Sequence, residues 1–125
     1  MNADADINNE RAQIEIRLSG VIGEPELSWG VRQIESACRQ HGVENVVWDL
    51  RTADLSQLNL TIIQGTLDNW PAVTLPEEAR IAVVAAGRQE QILLQLWQEA
   101  GLHKDKRKRR ILMNIEQARA WAAGE

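Results

Sequence analysis

Five polar residues with usable chemistry lie close together in this chain: Asp49, Arg51, Asp54, Ser56 and Asn59. They follow Val46-Val47-Trp48, which reads as a buried strand, and they precede apolar residues at helical spacing. The segment therefore reads as a strand that ends on the Asp49 carboxylate and opens into a polar turn. In open α/β sheets, ligands and partners meet the protein at the carboxyl ends of strands. Two carboxylates flanking a guanidinium suit a contact patch or an anion site. They suit equally well a local salt-bridged turn, in which each exposed pair contributes about 0–1 kcal/mol. Ser56 is the phosphorylation candidate. A phosphate there would add about −1.5 to −2 charge at a helix N-terminus, where anions are favoured. Without modification, Ser56 or Asn59 serves as the helix cap.

Other chemistries find little support. Metal binding needs converging His, Cys or carboxylate ligands. The soft donors are Cys38, His41 and His103, and only the Cys38–His41 step has ligand spacing. Cys38 falls on an apolar helix stripe and His41 at the helix end, so no metal site and no cofactor is expected. Nucleophilic catalysis wants Ser or Cys with a His and an orienting acid, and no such set stands out. The chain has no G-x-S-x-G, Walker or G-x-G-x-x-G segment. A receiver domain would need an acidic pair after the first parallel strand, which here ends Leu18-Ser19-Gly20. An enzyme using Asp49 or Asp54 as a base lacks a visible second group, so no enzymatic activity is expected.

Charge is unevenly distributed. The run from His103 to Arg110 holds Lys104, Lys106, Arg107, Lys108, Arg109 and Arg110 against one Asp, a net of +5, so the rest carries −9 against a total of −4. It reads as a solvated connector, as an electrostatic latch for an acidic protein or a second copy, or as a patch for anionic lipid or nucleic acid. The acidic body argues against nucleic acid. The aromatic set is five Trp with no Phe or Tyr. They are spread along the chain, which suits core packing better than a stacking platform.

The elements that must position these groups follow from periodicity. Ala3 to Asn8 reads as a short edge strand in a hairpin with Ile14, Ile16 and Leu18, whose period of two marks a half-buried strand. Leu27, Val31, Ile34 and Cys38 form one helical stripe, opened at Pro25 and closed at His41-Gly42. Val43 to Leu50 is a central strand. The second helix carries Leu60, Ile63, Leu67 and Trp70 and stops at Pro71. Arg80 to Ala86 is a third apolar strand. Ile92, Leu93, Leu96, Trp97 and Ala100 give the third helix a broad apolar face, ended by Gly101. Arg110 to Met113 is a last strand. Asn114 with Gln117 opens a final helix with Ala118, Trp121 and Ala122 inward. The order β(β)αβαβαβα calls for an α/β protein with a mostly parallel sheet of four or five strands and about four helices. At 125 residues it is read as one domain, 1–125.

The I-x-I-x-L-S-G strand, the V-V-W-D-L-R-T-A-D segment and the terminal R-I-L-M-N-I-E-Q-A-R-A-W resemble small bacterial SpoIIAA-like proteins of the STAS class. That fold is shared by anti-sigma-factor antagonists and the cytoplasmic tails of sulfate transporters. The resemblance implies a non-enzymatic module that binds a protein, a nucleotide or a lipid-like ligand. The chain departs from the antagonists at the start of the second helix. There the family's Asp-Ser-Ser-Gly-like element is replaced by Leu55-Ser56-Gln57-Leu58-Asn59.

The expectation is a regulatory binding module acting on a protein partner through the Asp49–Asn59 segment, with the basic run as an accessory. The alternative is a carrier of a small apolar or lipid-like ligand, held in a slot lined by residues such as Leu60, Ile63 and Trp97. Homodimerisation is compatible with either. No apolar run approaches the roughly 18 residues needed to span a bilayer, the polar start has no signal-peptide core, and the single Cys suits a reducing compartment. A cytoplasmic protein is expected.

Overall fold

The computed structural model describes residues 2–69, 74–101 and 107–125, with side chains for all of these except 66–69 and 100–101. Trp70, Pro71, His103, Lys104 and Lys106 lie outside the described residues, as do the side chains of Leu67 and Ala100. The elements are β1 (Asn2–Asn8), β2 (Gln13–Val21), α1 (Glu24–His41), β3 (Asn45–Asp54), α2 (Leu60–Asn69), β4 (Arg80–Val84), α3 (Arg88–Gly101), β5 (Lys108–Leu112) and α4 (Ile115–Ala122). They form a five-stranded sheet in the order β1-β2-β3-β4-β5. β1 pairs antiparallel with β2, and every other pairing is parallel. The mixed, mostly parallel α/β architecture expected from the sequence is the one observed.

This topology explains how the layers are filled. Each parallel strand is added on the same side of the one before it. Right-handed crossovers then place α1, α2 and α3 on one face of the sheet. Under them lies the main core, in which Ile14, Ile16 and Leu18 of β2 pack beside Val46, Trp48 and Leu50 of β3. Among the described residues, only α4, after the last strand, is left for the opposite face. Its Ala118 and Ala122 pack on Val47, Ala82, Val84 and Leu112. The small side chains at 82, 118 and 122 let this helix come close. α4 covers β3 to β5, so β1 and β2 keep a polar face on that side.

Helix ends follow their capping chemistry. The Glu26 carboxylate accepts from the Gly23 backbone N–H at 2.6 Å. Gly42 closes α1 in the left-handed conformation at φ 64°, donating to the Cys38 carbonyl. The Asn114 side chain accepts from the Gln117 N–H at 3.0 Å and opens α4.

Strand limits differ from the sequence reading. β3 does not end at Asp49 or Leu50 but continues to Asp54. Its hydrogen-bonding edge is still matched by Ser19-Gly20-Val21 of β2 there, despite the exposed polar side chains. β5 begins at Lys108, so the second half of the basic run is strand rather than connector. Pairing of Arg80 with Lys108 and of Ala82 with Arg110 overrides the charge of that segment.

Candidate functional site

The predicted site residues separate into three places. The first is the turn after β3. Leu55 and Leu58 are both buried, 7% exposed each, and hold the ends of the turn against the main core. Ser56 and Gln57 between them face solvent. The Asp54 carboxylate accepts from the Ser56 N–H at 2.9 Å, and the Ser56 N–H and hydroxyl hold that carboxyl below its ordinary range. Asn59 caps α2, its side-chain oxygen accepting from the Ile62 N–H at 3.0 Å. Of the two cap candidates, Asn59 takes the role. Ser56 belongs to an Asx turn with Asp54.

The second place is the polar sheet face left open by α4. Asp49 is 2% exposed and Glu15 is 7% exposed, which demands partners for both charges. Arg51 reaches back two residues along β3 and binds Asp49 through two parallel contacts, Nε to Oδ1 at 2.9 Å and Nη2 to Oδ2 at 2.8 Å. The Arg51 backbone N–H also donates to Oδ1 at 3.1 Å. Between Arg17 and Ser19 the β2–β3 register slips, because β3 carries one extra residue. The slip frees this N–H from the ladder for the carboxylate. Arg17 bridges the two acids, with Nη2 at 2.9 Å from Glu15 and Nε at 3.5 Å from Asp49. From α4, Arg119 completes Glu15 with Nε at 2.7 Å and Nη2 at 3.2 Å.

The electrostatics follow from this geometry. Burial pushes the Glu15 carboxyl up, but hydrogen bonds and charge from Arg119 and then Arg17 outweigh it and hold it below its ordinary value. Burial likewise opposes ionisation of Asp49, and Arg51 with help from Arg17 overcomes it. Both acids are therefore carboxylates at neutral pH. Neither has the raised value that a general acid or base near neutrality needs.

No protein-family model matches the sequence, and no curated protein does. Solved structures do. The anti-sigma factor antagonist SpoIIAA in its unphosphorylated form aligns with a TM-score of 0.59 at 17% identity, covering 98% of this chain and 97% of its own. The Bacillus cell fate determinant SpoIIAA in its phosphorylated form aligns at 0.52 and 17%, covering 93% and 95%. The fold is SpoIIAA-like. At this identity the likeness covers the architecture alone.

The third place on the SpoIIAA-like sheet is β5. Arg107 is 9% exposed, and its guanidinium donates to the Leu75 carbonyl at 2.6 Å and the Pro76 carbonyl at 3.1 Å. It fastens the start of β5 to the segment before β4, so Arg107 is part of the scaffold and not of a solvated connector. Lys108 and Arg110 are exposed on the α4 side of the strand, while Arg109 points to the other face.

There Arg109 joins the lining of an apolar cavity of about 120 Å³ beneath α2 and α3. Trp48 and Leu50 of β3, Ile63 of α2, and Leu94 and Trp97 of α3 are among the residues of its wall. Of the three slot residues expected from the sequence, Ile63 and Trp97 line the cavity. Leu60 does not. It is 47% exposed at the first turn of α2. On α3, Ile92 and Leu96 are 50% and 59% exposed, so the inward stripe is narrower than the sequence count suggests.

Glu15, Arg17 and Arg119 were not anticipated as one cluster with Asp49 and Arg51. A signal was present, since Gln13, Glu15, Arg17 and Ser19 alternate with the apolar residues of β2. Arg119 arrives from more than a hundred residues away in sequence, and only the path of α4 brings it there. Cys38 is half-buried on α1. Burial, then the Glu35 charge, push its thiol up to about 11 against the pull of Arg107, which leaves it a poor nucleophile. Among the described residues, no group of three His, Cys, Asp or Glu side chains is placed to hold a metal ion, and no helix is long and apolar enough to cross a membrane.

Proposed function

We propose that this protein is a non-enzymatic regulatory module that acts by binding another protein through the Asp54–Asn59 turn and the first turn of α2. The observation that carries the reading is the build of that turn. Two buried leucines and an Asn cap fix the backbone, while Ser56 and Gln57 stand exposed between them. A rigid exposed segment at the carboxyl end of a parallel sheet suits recognition with little ordering cost. The SpoIIAA structures it resembles are those of an anti-sigma factor antagonist, one of them phosphorylated.

Phosphorylation of Ser56 fits the same reading as a switch with a defined local effect. A phosphate there would stand beside the Asp54 carboxylate that now accepts from Ser56. Like-charge repulsion would open the Asx turn and alter the surface shown to a partner. Asp49 and Arg51 act behind this surface by holding the bulged stretch of β3 that leads to it. The test is affinity capture from the source cells with the unaltered protein and with Asp54→Lys plus Ser56→Glu. Loss of a specific co-purifying protein supports the turn as the interface, and undiminished capture removes it.

The apolar cavity favours a second reading, a small-molecule site between the helices and the sheet. Native mass spectrometry of gently recovered protein separates the two readings, since a partner protein, a phosphate and a retained small molecule add different masses.

A further inference from the structure

The inner face of α3 is accounted for by the fold, and its outer face is not. Leu94 and Trp97 turn inward and pack against the main core. Arg88, Gln89, Ile92, Gln95, Leu96 and Glu99 are all exposed, and their spacing puts them on one side of the helix. At the centre of that side Ile92 and Leu96, 50% and 59% exposed, form an apolar ridge. Gln89 and Gln95 flank it without charge. Arg88 stands at one end and Glu99 at the other, about three turns and about 16 Å apart, too far to pair with each other. Among the described residues neither has an ion-pair partner. A cation in the first turn and an anion in the last also oppose the helix macrodipole. Neither charge is placed to suit α3 alone.

A second copy of α3, antiparallel to the first, suits both charges and covers the ridge. About a twofold axis through the middle of the ridge, Ile92 meets the partner's Leu96, and Arg88 meets the partner's Glu99 at either end. Each charge then also lies beside the end of the partner helix whose dipole favours it. We infer that the protein self-associates as a twofold dimer through the outer face of α3, with Ile92 and Leu96 at its centre and Arg88–Glu99 pairs at both ends. This face shares no residue with the turn after β3 or with the cavity wall, so the inference is independent of both readings above. α3 is about 21 Å long. One such helix against another buries less than the roughly 1,600 Å² of a standard interface. The dimer is therefore weak, with a Kd on the order of 0.1 mM.

Sedimentation velocity of the full-length protein from about 10 µM to about 1 mM brackets that value. The unaltered chain should pass from monomer to dimer across the range. Leu96→Glu, with its fold checked by circular dichroism, should remain monomeric. Arg88→Glu and Glu99→Arg should each weaken the dimer by about tenfold, since two attractive contacts become two repulsive ones. Mixed in equal amounts, these two variants should dimerise as the unaltered chain does, because antiparallel pairing sets opposite charges together at both ends. If Leu96→Glu fails to fold, the mixing experiment decides by itself. A monomer at every concentration would overturn the inference, as would a dimer indifferent to Leu96→Glu or a mixture no tighter than its components. Leu96-dependent capture of a different protein by a chain that stays monomeric would overturn the second copy as the occupant of this face.

Discussion

At the scale of single residues, the buried acids decide the behaviour of the open sheet face. Glu15 is enclosed by Arg17 and Arg119 and has only an 8% exposed side chain, so removing its charge takes the shared partner from two guanidiniums, leaving Arg17 with Asp49 and Arg119 with Glu116. Glu15→Gln is expected to cost about 1–3 kcal/mol at neutral pH, measured by urea unfolding. The partly exposed arginines keep this below the cost of breaking a fully buried pair. The pH dependence follows from the lowered values of Glu15 and Asp49. A carboxylate whose folded value lies below its unfolded value contributes stability above the unfolded value, near pH 4. That contribution disappears as pH falls through the folded value. Stability should hold steady above about pH 5 and fall below about pH 4. In Glu15→Gln the acid-side slope should be shallower, and an unchanged slope would assign the acid loss to other groups.

At the scale of elements, α1 sits unusually close to the sheet. A Cβ at Gly30 would lie 2.5 Å from Cζ3 of Trp48 and 3.4 Å from Cγ2 of Ile16. Glycine is thus required by the approach of helix to strand, although it costs helix propensity. Alanine would gain about 1 kcal/mol of propensity and lose about 1–3 kcal/mol to overpacking against a buried indole. Gly30→Ala should therefore be neutral to destabilising by about 2 kcal/mol, and a rise in Tm would show that Trp48 can give way. α2 is held differently. It packs between α1 and α3 and depends on the Asn59 cap at its start. Asn59→Ala should cost about 0.5–2 kcal/mol and speed amide exchange in the first turn of α2, the proposed recognition surface. Of the α1 stripe read from the sequence, Leu27 and Ile34 are buried and Val31 and Cys38 half-buried, while the small residues Gly30 and Ala37, which carry no apolar signal of their own, complete the buried face. The stripe of α3 was overcounted, because apolar residues at 92 and 96 satisfy the helical period without facing the sheet.

At the scale of the whole molecule, two cores share one sheet. Val47, Ala82 and Val84 carry the α4 layer on the same strands whose other residues carry the main core. Neither layer can be removed without exposing the back of the other. Unfolding is expected as a single transition, with tryptophan fluorescence and far-UV circular dichroism giving coincident urea curves. Separate midpoints would mean that α4 detaches first. Charge segregation also belongs to this scale. Lys108 and Arg110 remain exposed on β5 at one sheet edge, and Asp4 and Asp6 are exposed on β1 at the other. Each edge therefore resists pairing with its own copy, a common protection for open strands.

The sequence alone was sufficient for the element order, the parallel sheet, the cap at Asn114, the αL stop at Gly42 and the polar turn after β3. These are local: they depend on periodicity, turn chemistry and capping within a few residues. Three features were decided only by tertiary structure. β3 runs on past Asp49 because β2 supplies a partner strand, which no local pattern reports. Glu15, Arg17, Asp49, Arg51 and Arg119 become one network because α4 crosses to the second face and covers only part of it. Arg107 and Arg109 leave the solvated run, one to bind loop carbonyls and one to line the cavity. The physical reason is common to all three. Side-chain partners distant in sequence are chosen by which face and which edge a strand presents, and that choice exists only once the sheet has formed.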